Sequence, residues 1–452
     1  MKTFFALTFL ALLALSALAW RLLPAPVAHG RTVLVWASDD NPMRAEQIRR
    51  FNAAFPRRAL QLDPNNTGLE KVVVQSLAGV GPDVFDVGEG HLSVCIGAGI
   101  AWDVTDALKR RGVDVQTDTW KSVQNLAVRD GRVYGVPSNA AANALLLNRE
   151  LFEKAGIALP KGPWTWEQFL PIAQKLTVRD ARGRAQQFGF ICDWWLWPHF
   201  VLQWGGRVFS EDGTRCVIDS PEAIEGIQFL HDLIYKYRVM PSPVEEAAMA
   251  TQGGWGSGTI TQFGANKGAM ALAGRWWLCT LRKKDQFPGL RLAACESPYP
   301  QEGRRVFYSY GRATLINKTS PRREEALDFL VYMMGADYNT LINEQADALA
   351  PVRRFAQSPA FLHNPQYPEE TDNAVWRAAL EAAEPSVTSR FVNAQAAQRI
   401  LTKQLDLVKN DQKPVASALK TAAQQINALI QESIARDPAL KARYDAAVKG
   451  AR

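Results

Sequence analysis

The sequence predicts an α/β protein built in two lobes, each a sheet flanked by helices. Three observations lead there. Short apolar runs alternate with amphipathic stretches from residue 31 to 87, the pattern of a sheet with helices on its faces. Strand-like runs return late, at Arg291 to Ala294 and Ala313 to Ile316. The chain has 452 residues, more than one ordinary core holds. Its hydrophobic content of 47% and charged content of 21% exclude a disordered chain.

The elements follow in order. Lys2, the apolar run Phe4 to Leu15 and the small-x-small site Ala17-Leu18-Ala19 before Trp20 read as an export signal. The rival is a retained anchor continuing through Leu22, Leu23 and Val27, although Arg21, Pro24 and Pro26 interrupt it. The segment has no cysteine for lipid attachment. Residues 31 to 36 read as a first buried strand and Ala45 to Phe55 as a first helix. Ala59 to Leu62, Leu69 to Ala78 and Val84 to Val87 then read as strand, helix and strand. Ligands in such sheets bind beyond the carboxyl ends of strands, so the loops after Trp36 and Val87 face the ligand side. Asp130-Gly131 signals a tight turn. Leu151, Phe152 and Ala155 fall at helical spacing before Gly156, a C-cap. Thr165 caps the next helix, which Pro171 kinks. A helix from Val415 to Ile434 has apolar spacing at Leu419, Ala422, Ile426, Leu429 and Ile430. No repeats are evident.

Net charge is +7, from 52 basic and 45 acidic residues. The basic residues are dispersed apart from Lys109-Arg110-Arg111 and Arg282-Lys283-Lys284, with no nucleic-acid motif beside them. Five cysteines, Cys95, Cys192, Cys216, Cys279 and Cys295, leave at least one thiol unpaired. They show no zinc spacing, and the sequence does not choose between one disulfide and buried free thiols.

The order of several segments resembles one family. Asp130-Gly131-Arg132-Val133-Tyr134-Gly135-Val136-Pro137 is followed by Asn148-Arg149-Glu150-Leu151-Phe152-Glu153-Lys154-Ala155-Gly156 and by Trp164-Thr165-Trp166-Glu167-Gln168-Phe169. Around them stand Gly81-Pro82-Asp83-Val84, Gly205-Gly206-Arg207-Val208-Phe209 with Asp212-Gly213-Thr214, and Asn266-Lys267-Gly268-Ala269-Met270-Ala271 with Gly274-Arg275-Trp276. Ser320-Pro321 opens a late helix. Each is weak alone; in this order they resemble the extracellular sugar-binding proteins of ABC importers, the family-1 solute-binding proteins.

That resemblance implies the two-lobed periplasmic binding protein fold, type II-like, with ligand in the interlobe cleft. It implies crossings near 138–143, 306–311 and 346–352. The first lobe is then 31–140 plus about 308–350. The second is about 141–307 plus about 351–440, with C-terminal helices. It implies a monomer outside the cytoplasm that binds a carbohydrate, delivers it to a membrane permease, uses no cofactor or metal, and is not an enzyme. A secreted glycoside hydrolase is the rival, but no pair of carboxyls stands out. Another rival binds a different solute, such as a glycerol phosphodiester; Arg275 or Arg312 facing the cleft would favour that anion.

A sugar presents a C–H face to aromatic rings and hydroxyls to polar groups. Four of the 14 tryptophans crowd together as Trp194, Trp195, Trp197 and Trp204, beside Asp193. By resemblance Trp276 stacks on sugar, while Trp277 points elsewhere if the segment is extended. Asp39, Asp40 and Asn41 resemble the family's polar ligand loop, against the plain reading of a turn and cap around Pro42. Glu89 is a second carboxylate candidate; Asp83 fixes its loop's backbone. Tyr310 and Gly311 sit at the second crossing beside Tyr308, a tyrosine pair that also invites an iron reading. Trp255, in the Gly253 to Gly258 loop, is a third stacking candidate. Trp36 ends the first strand. The chain departs from the family after Pro137, where Ser138-Asn139-Ala140-Ala141-Ala142-Asn143 replaces a larger ligand contact; Asn139 is the substitute.

Overall fold

The computed structural model describes residues 30–249 and 258–450, with scattered positions between Phe4 and Leu15. The expected cleavage site and Trp255 lie outside the described residues. No described helix is long and apolar enough to cross a membrane.

Two sheets organise the chain. Strands β1 (Thr32–Ala37), β2 (Arg58–Asp63) and β3 (Val84–Val87) run parallel, with β1 between the other two. A short hairpin, β4 (Val128–Arg129) and β5 (Arg132–Val133), precedes β6 (Gly135–Ala142) and β7 (Ala144–Asn148). Its turn places Asp130 and Gly131 at φ of 50° and 73°, left-handed values that glycine tolerates freely. Further on come β8 (Val178–Arg179), β9 (Ala185–Cys192), β10 (Gly268–Ala273), β11 (Leu292–Cys295), β12 (Phe307–Ile316) and β13 (Ala383–Glu384). The first sheet has the order β13-β12-β3-β1-β2, with β6 also on β12; the second has the order β11-β7-β10-β9-β8.

Asn143 is the single residue between β6, in the first sheet, and β7, in the second. Both strands are buried along their whole length, which explains their run of alanines and leucines. The second passage joins β11 to β12. In a third stretch, Ala346 and Ala348 both have positive φ, 58° and 65°, and Leu349 bridges back to Ala140.

The helices show the expected punctuation. Thr165 and Gln168 form a reciprocal capping box at Trp166–Leu176, and Pro171 lies inside that helix. Asn148 caps Arg149–Lys154. One core fills the second sheet and the C-terminal helices, and a second lies under β1 and the helix Arg323–Met334. A third spans residues of both sheets, from Val87 and Ala313 to Leu146, Ala271 and Trp277. Asp83 has no exposed surface; it accepts from Val35 N at 2.8 Å, Ser320 Oγ at 2.5 Å and Arg322 Nε at 3.0 Å. It ties the start of β3 to β1 and to the chain after β12.

Candidate functional site

Strand β12 supplies the site's backbone. Its alternation puts Tyr308, Tyr310 and Arg312 on one face. Gly311, between them, approaches β6 so closely that a Cβ would lie 2.7 Å from Asn139 O. Glycine is required there by space. The Asn139 side chain is 7% exposed, and its Oδ1 accepts from Arg312 N at 3.0 Å. It supports the bulge after Arg312.

The second sheet contributes two short turns at strand ends. After β10, Gly274 leads into the turn Arg275–Trp277. Because this segment is a helical turn and not extended, Trp276 stays half-buried at the surface while Trp277 enters the core at 1% exposure. The Trp276 indole donates to Tyr310 Oη at 3.2 Å, and Tyr310 donates to Asn143 Oδ1 at 2.9 Å. After β9, Asp193 leads into the turn Trp194–Leu196 and the helix Trp197–Gln203, where Pro198 stands near the N-terminus. Trp195 is 44% exposed and meets Tyr310 edge-on, with ring centroids 5.1 Å apart. Trp194 is half-buried against the core, and Trp197 is 7% exposed within it.

The first sheet brings Glu89 from the loop after β3. Tyr308 donates to its Oε2 at 2.5 Å, and its other oxygen is shut off from solvent. Burial pushes this carboxyl up to about 7, although Tyr308 and Ser386 oppose the shift. Burial likewise raises Asp193, which accepts from Thr259 Oγ1 at 2.5 Å. His199 accepts from Tyr308 N at Nδ1 and faces Ser297 Oγ at 3.1 Å through Nε2. Burial holds its ring neutral, lowering it to about 3.

The loop after β1 is divided. Asp40 is exposed. Asp39 accepts from Arg44 and Arg312, both at 2.9 Å, so one of its oxygens is already engaged. Asn41 is 2% exposed; it accepts from Met43 N and donates to Asp347. The turn reading holds for Asn41, although the helix beginning at Arg44 has no side-chain cap, and we correct the assignment of Asn41 as a ligand contact. Trp36 needs the same correction. It is fully buried, its indole donates to Asp86 Oδ1 at 2.9 Å, and its ring meets Phe329 edge-on. Its side chain shares the core face of β1 with Leu34.

Arg312 reaches Asp39, Asp86 and Asp347, and Arg44 reaches Asp39 and Asp347. Arg275 is fully buried. It donates to Asn373 Oδ1, Asn343 O and Ala348 O and lies 4.9 Å from the Phe361 ring centroid. Each guanidinium is thus directed to protein partners.

A cavity of about 860 Å³ opens beside Glu89, lined also by Trp194, Trp195, Trp197 and Tyr308 and by residues of the helix Ala394–Lys409. Sequence reasoning missed that helix. Its apolar spacing is that of any surface helix, and only the fold sets it against Glu89. Of the expected site residues, Glu89, Trp194, Trp195 and Trp197 line this cavity; Tyr310 and Trp276 adjoin it through Trp195 and Tyr308, while Gly311, Asn139 and Asp39 lie outside its lining. Trp197 lies at its base and Asp40 stands exposed beyond Asp39.

The fold and cleft are those of a two-lobed binding protein, and comparison with known proteins agrees. Residues 39–340 match the family model of bacterial extracellular solute-binding proteins, and the chain belongs to that family. The arabinooligosaccharide-binding protein of Halalkalibacterium halodurans is 28% identical over 213 residues, which is 46% of this chain and 45% of that protein. An ABC substrate-binding protein of Listeria monocytogenes, solved with cycloalternan, superposes with TM-score 0.74 at 20% identity, covering 88% of this chain and 98% of that one. UgpB of Mycobacterium tuberculosis, solved with glycerophosphocholine, superposes with TM-score 0.73 at 16% identity, covering 90% and 100%.

Proposed function

We propose that the chain binds a neutral carbohydrate in this cleft and delivers it to an ABC permease for uptake. The observation that carries the reading is the aromatic set Trp276, Trp195, Tyr310 and Tyr308 held beside the Glu89 carboxyl. Such rings offer flat faces to the C–H surfaces of a sugar, while its hydroxyls need polar partners at the rim of the cleft. The sugar-binding relative and the cycloalternan-bound neighbour support it. Contacts from both lobes would stabilise a closed state that the permease recognises.

The glycerophosphocholine-bound neighbour keeps an anionic ligand in view as a second reading. The arginines count against it: Arg312 is balanced by three aspartates and Arg275 is buried on backbone and amide oxygens. A phosphate would have to displace those partners. In the reading we favour, the protein is exported through the segment ending at Ala19, acts as a monomer and turns nothing over. Isothermal titration against neutral sugars, uronic acids and glycerophosphodiesters tests it. Binding confined to the anions would overturn it.

A further inference from the structure

We propose that Asn143 is a positioning residue of the site: by holding the Tyr310 hydroxyl it fixes the ring of Trp276. The stacking role of Trp276 rests on the carbohydrate reading; what holds the ring in place does not.

Asn143 has no exposed surface and is the single residue between β6 and β7. It stands where the chain leaves the first sheet for the second. Tyr310 reaches it from β12 of the first sheet and donates to its Oδ1 at 2.9 Å. The same phenol oxygen accepts from the Trp276 indole at 3.2 Å, and Trp276 belongs to the turn after β10 of the second sheet. A phenol has one proton to give, and an indole N–H can only donate. Because Asn143 takes the phenol proton, the lone pairs of Tyr310 are turned to the indole. The order indole to phenol to amide is therefore fixed, and it ties a ring of one sheet to a strand of the other. Gly274 supplies the room: a Cβ there would overlap Tyr310 Oη and lie 2.6 Å from Trp276 Nε1. Trp195 meets the Tyr310 ring edge-on at 5.1 Å, so one phenol abuts both tryptophans.

A purely structural role fits Asn143 poorly. Its Nδ2 is buried with no partner among the described residues, and a buried donor left unsatisfied is destabilising. Leucine, of similar size, would remove that donor from between Ala142 and Ala144, both fully buried. Leucine cannot accept the Tyr310 proton, and Trp276 cannot take it either. The amide thus does for Tyr310 what no apolar side chain could.

Fluorine NMR of the full mature chain, labelled with 5-fluorotryptophan and free of ligand, tests this directly. The Trp276 resonance is identified by its loss in Trp276→Phe. Asn143→Leu should move or broaden that resonance, as Tyr310→Phe does, while its denaturant midpoint stays close to the wild type's. Asn143→Ala should act the same way without added bulk. Asn143→Asp keeps an acceptor oxygen and should return the resonance to its wild-type position. In titrations with maltotriose, mannotriose and arabinotriose, Asn143→Leu should lose about tenfold in affinity for the sugar that binds. Combined with Tyr310→Phe it should lose no more than Tyr310→Phe alone, since both cut one relay. A Trp276 resonance unmoved by both Asn143→Leu and Asn143→Ala overturns the proposal. So does an affinity loss that adds in full to that of Tyr310→Phe. Binding of none of these or any other neutral sugar overturns the carbohydrate reading instead, and the resonance still decides the role of Asn143.

Discussion

Replacing Glu89 by glutamine isolates one proton that the fold holds. The folded carboxyl sits near 7, against 4.5 for the free side chain, chiefly because it is buried. The folded state therefore binds more protons than the unfolded chain between those two values, and stability falls as pH rises through them. Its contribution is fully present below about 4.5 and is lost above about 7. At about 1.4 kcal/mol per pH unit, the interval amounts to about 3 kcal/mol. Glutamine keeps the shape of the protonated carboxyl and cannot ionise. The stability of Glu89→Gln minus that of wild type should thus rise by about 3 kcal/mol from pH 4.5 to pH 8. Urea unfolding at half-unit steps measures it. The difference is the proper readout because His199 acts oppositely in the same window. Its ring is held near 3 by burial, so it costs stability as pH falls below 6.5, and it is common to both proteins. A pH-independent difference would refute the reasoning and return Glu89 to a solvated loop.

Three further outcomes are expected. Trp276→Ala should weaken sugar binding by about 1–3 kcal/mol, roughly 5- to 150-fold, and cost less in unfolding free energy because the ring is only half-buried; titration paired with denaturation checks both. Gly274→Ala would set a methyl 2.6 Å from the Trp276 indole and against Tyr310 Oη, so ligand affinity should drop about tenfold or more, with the Trp276 fluorescence shifted. Asp347→Ala should cost about 3 kcal/mol by leaving the buried Arg44, 1% exposed, with Asp39 as its remaining carboxylate partner. Burial alone would raise Asp347, but Arg44 and Arg312 hold it to about 2. Wild type should accordingly lose stability as pH falls from 3.8 through 2, and Asp347→Asn should flatten that limb in an acid-unfolding series.

The strands and helices of the first ninety residues were legible to within a residue or two, because each is set by its local apolar pattern. Of β12 only the end, Ala313 to Ile316, was legible as a strand; Tyr308 and Tyr310 were read at a crossing, and the strand in fact runs through them from Phe307. The place of Trp36 was not legible. Proximity to the ligand loop suggested a contact, but its parity with Leu34 decided for the core. Arg312 was unreadable as a committed group, since its partners Asp39, Asp86 and Asp347 come from three distant segments. The helix Ala394–Lys409 meets the site across some three hundred residues of sequence, and no local pattern announces which surface an amphipathic helix will face.

All five cysteines are buried and unpaired. Burial pushes their thiols up, to about 12 at Cys95, Cys279 and Cys295 and about 11 at Cys216. Thiolate is scarce in the native state, so reagents that require it find little to attack. The fold accordingly owes nothing to an oxidant and should form as readily in a reducing compartment as outside the cell. Once the chain opens, five ordinary thiols appear together, and their labelling rate becomes a built-in clock for every excursion out of the folded state.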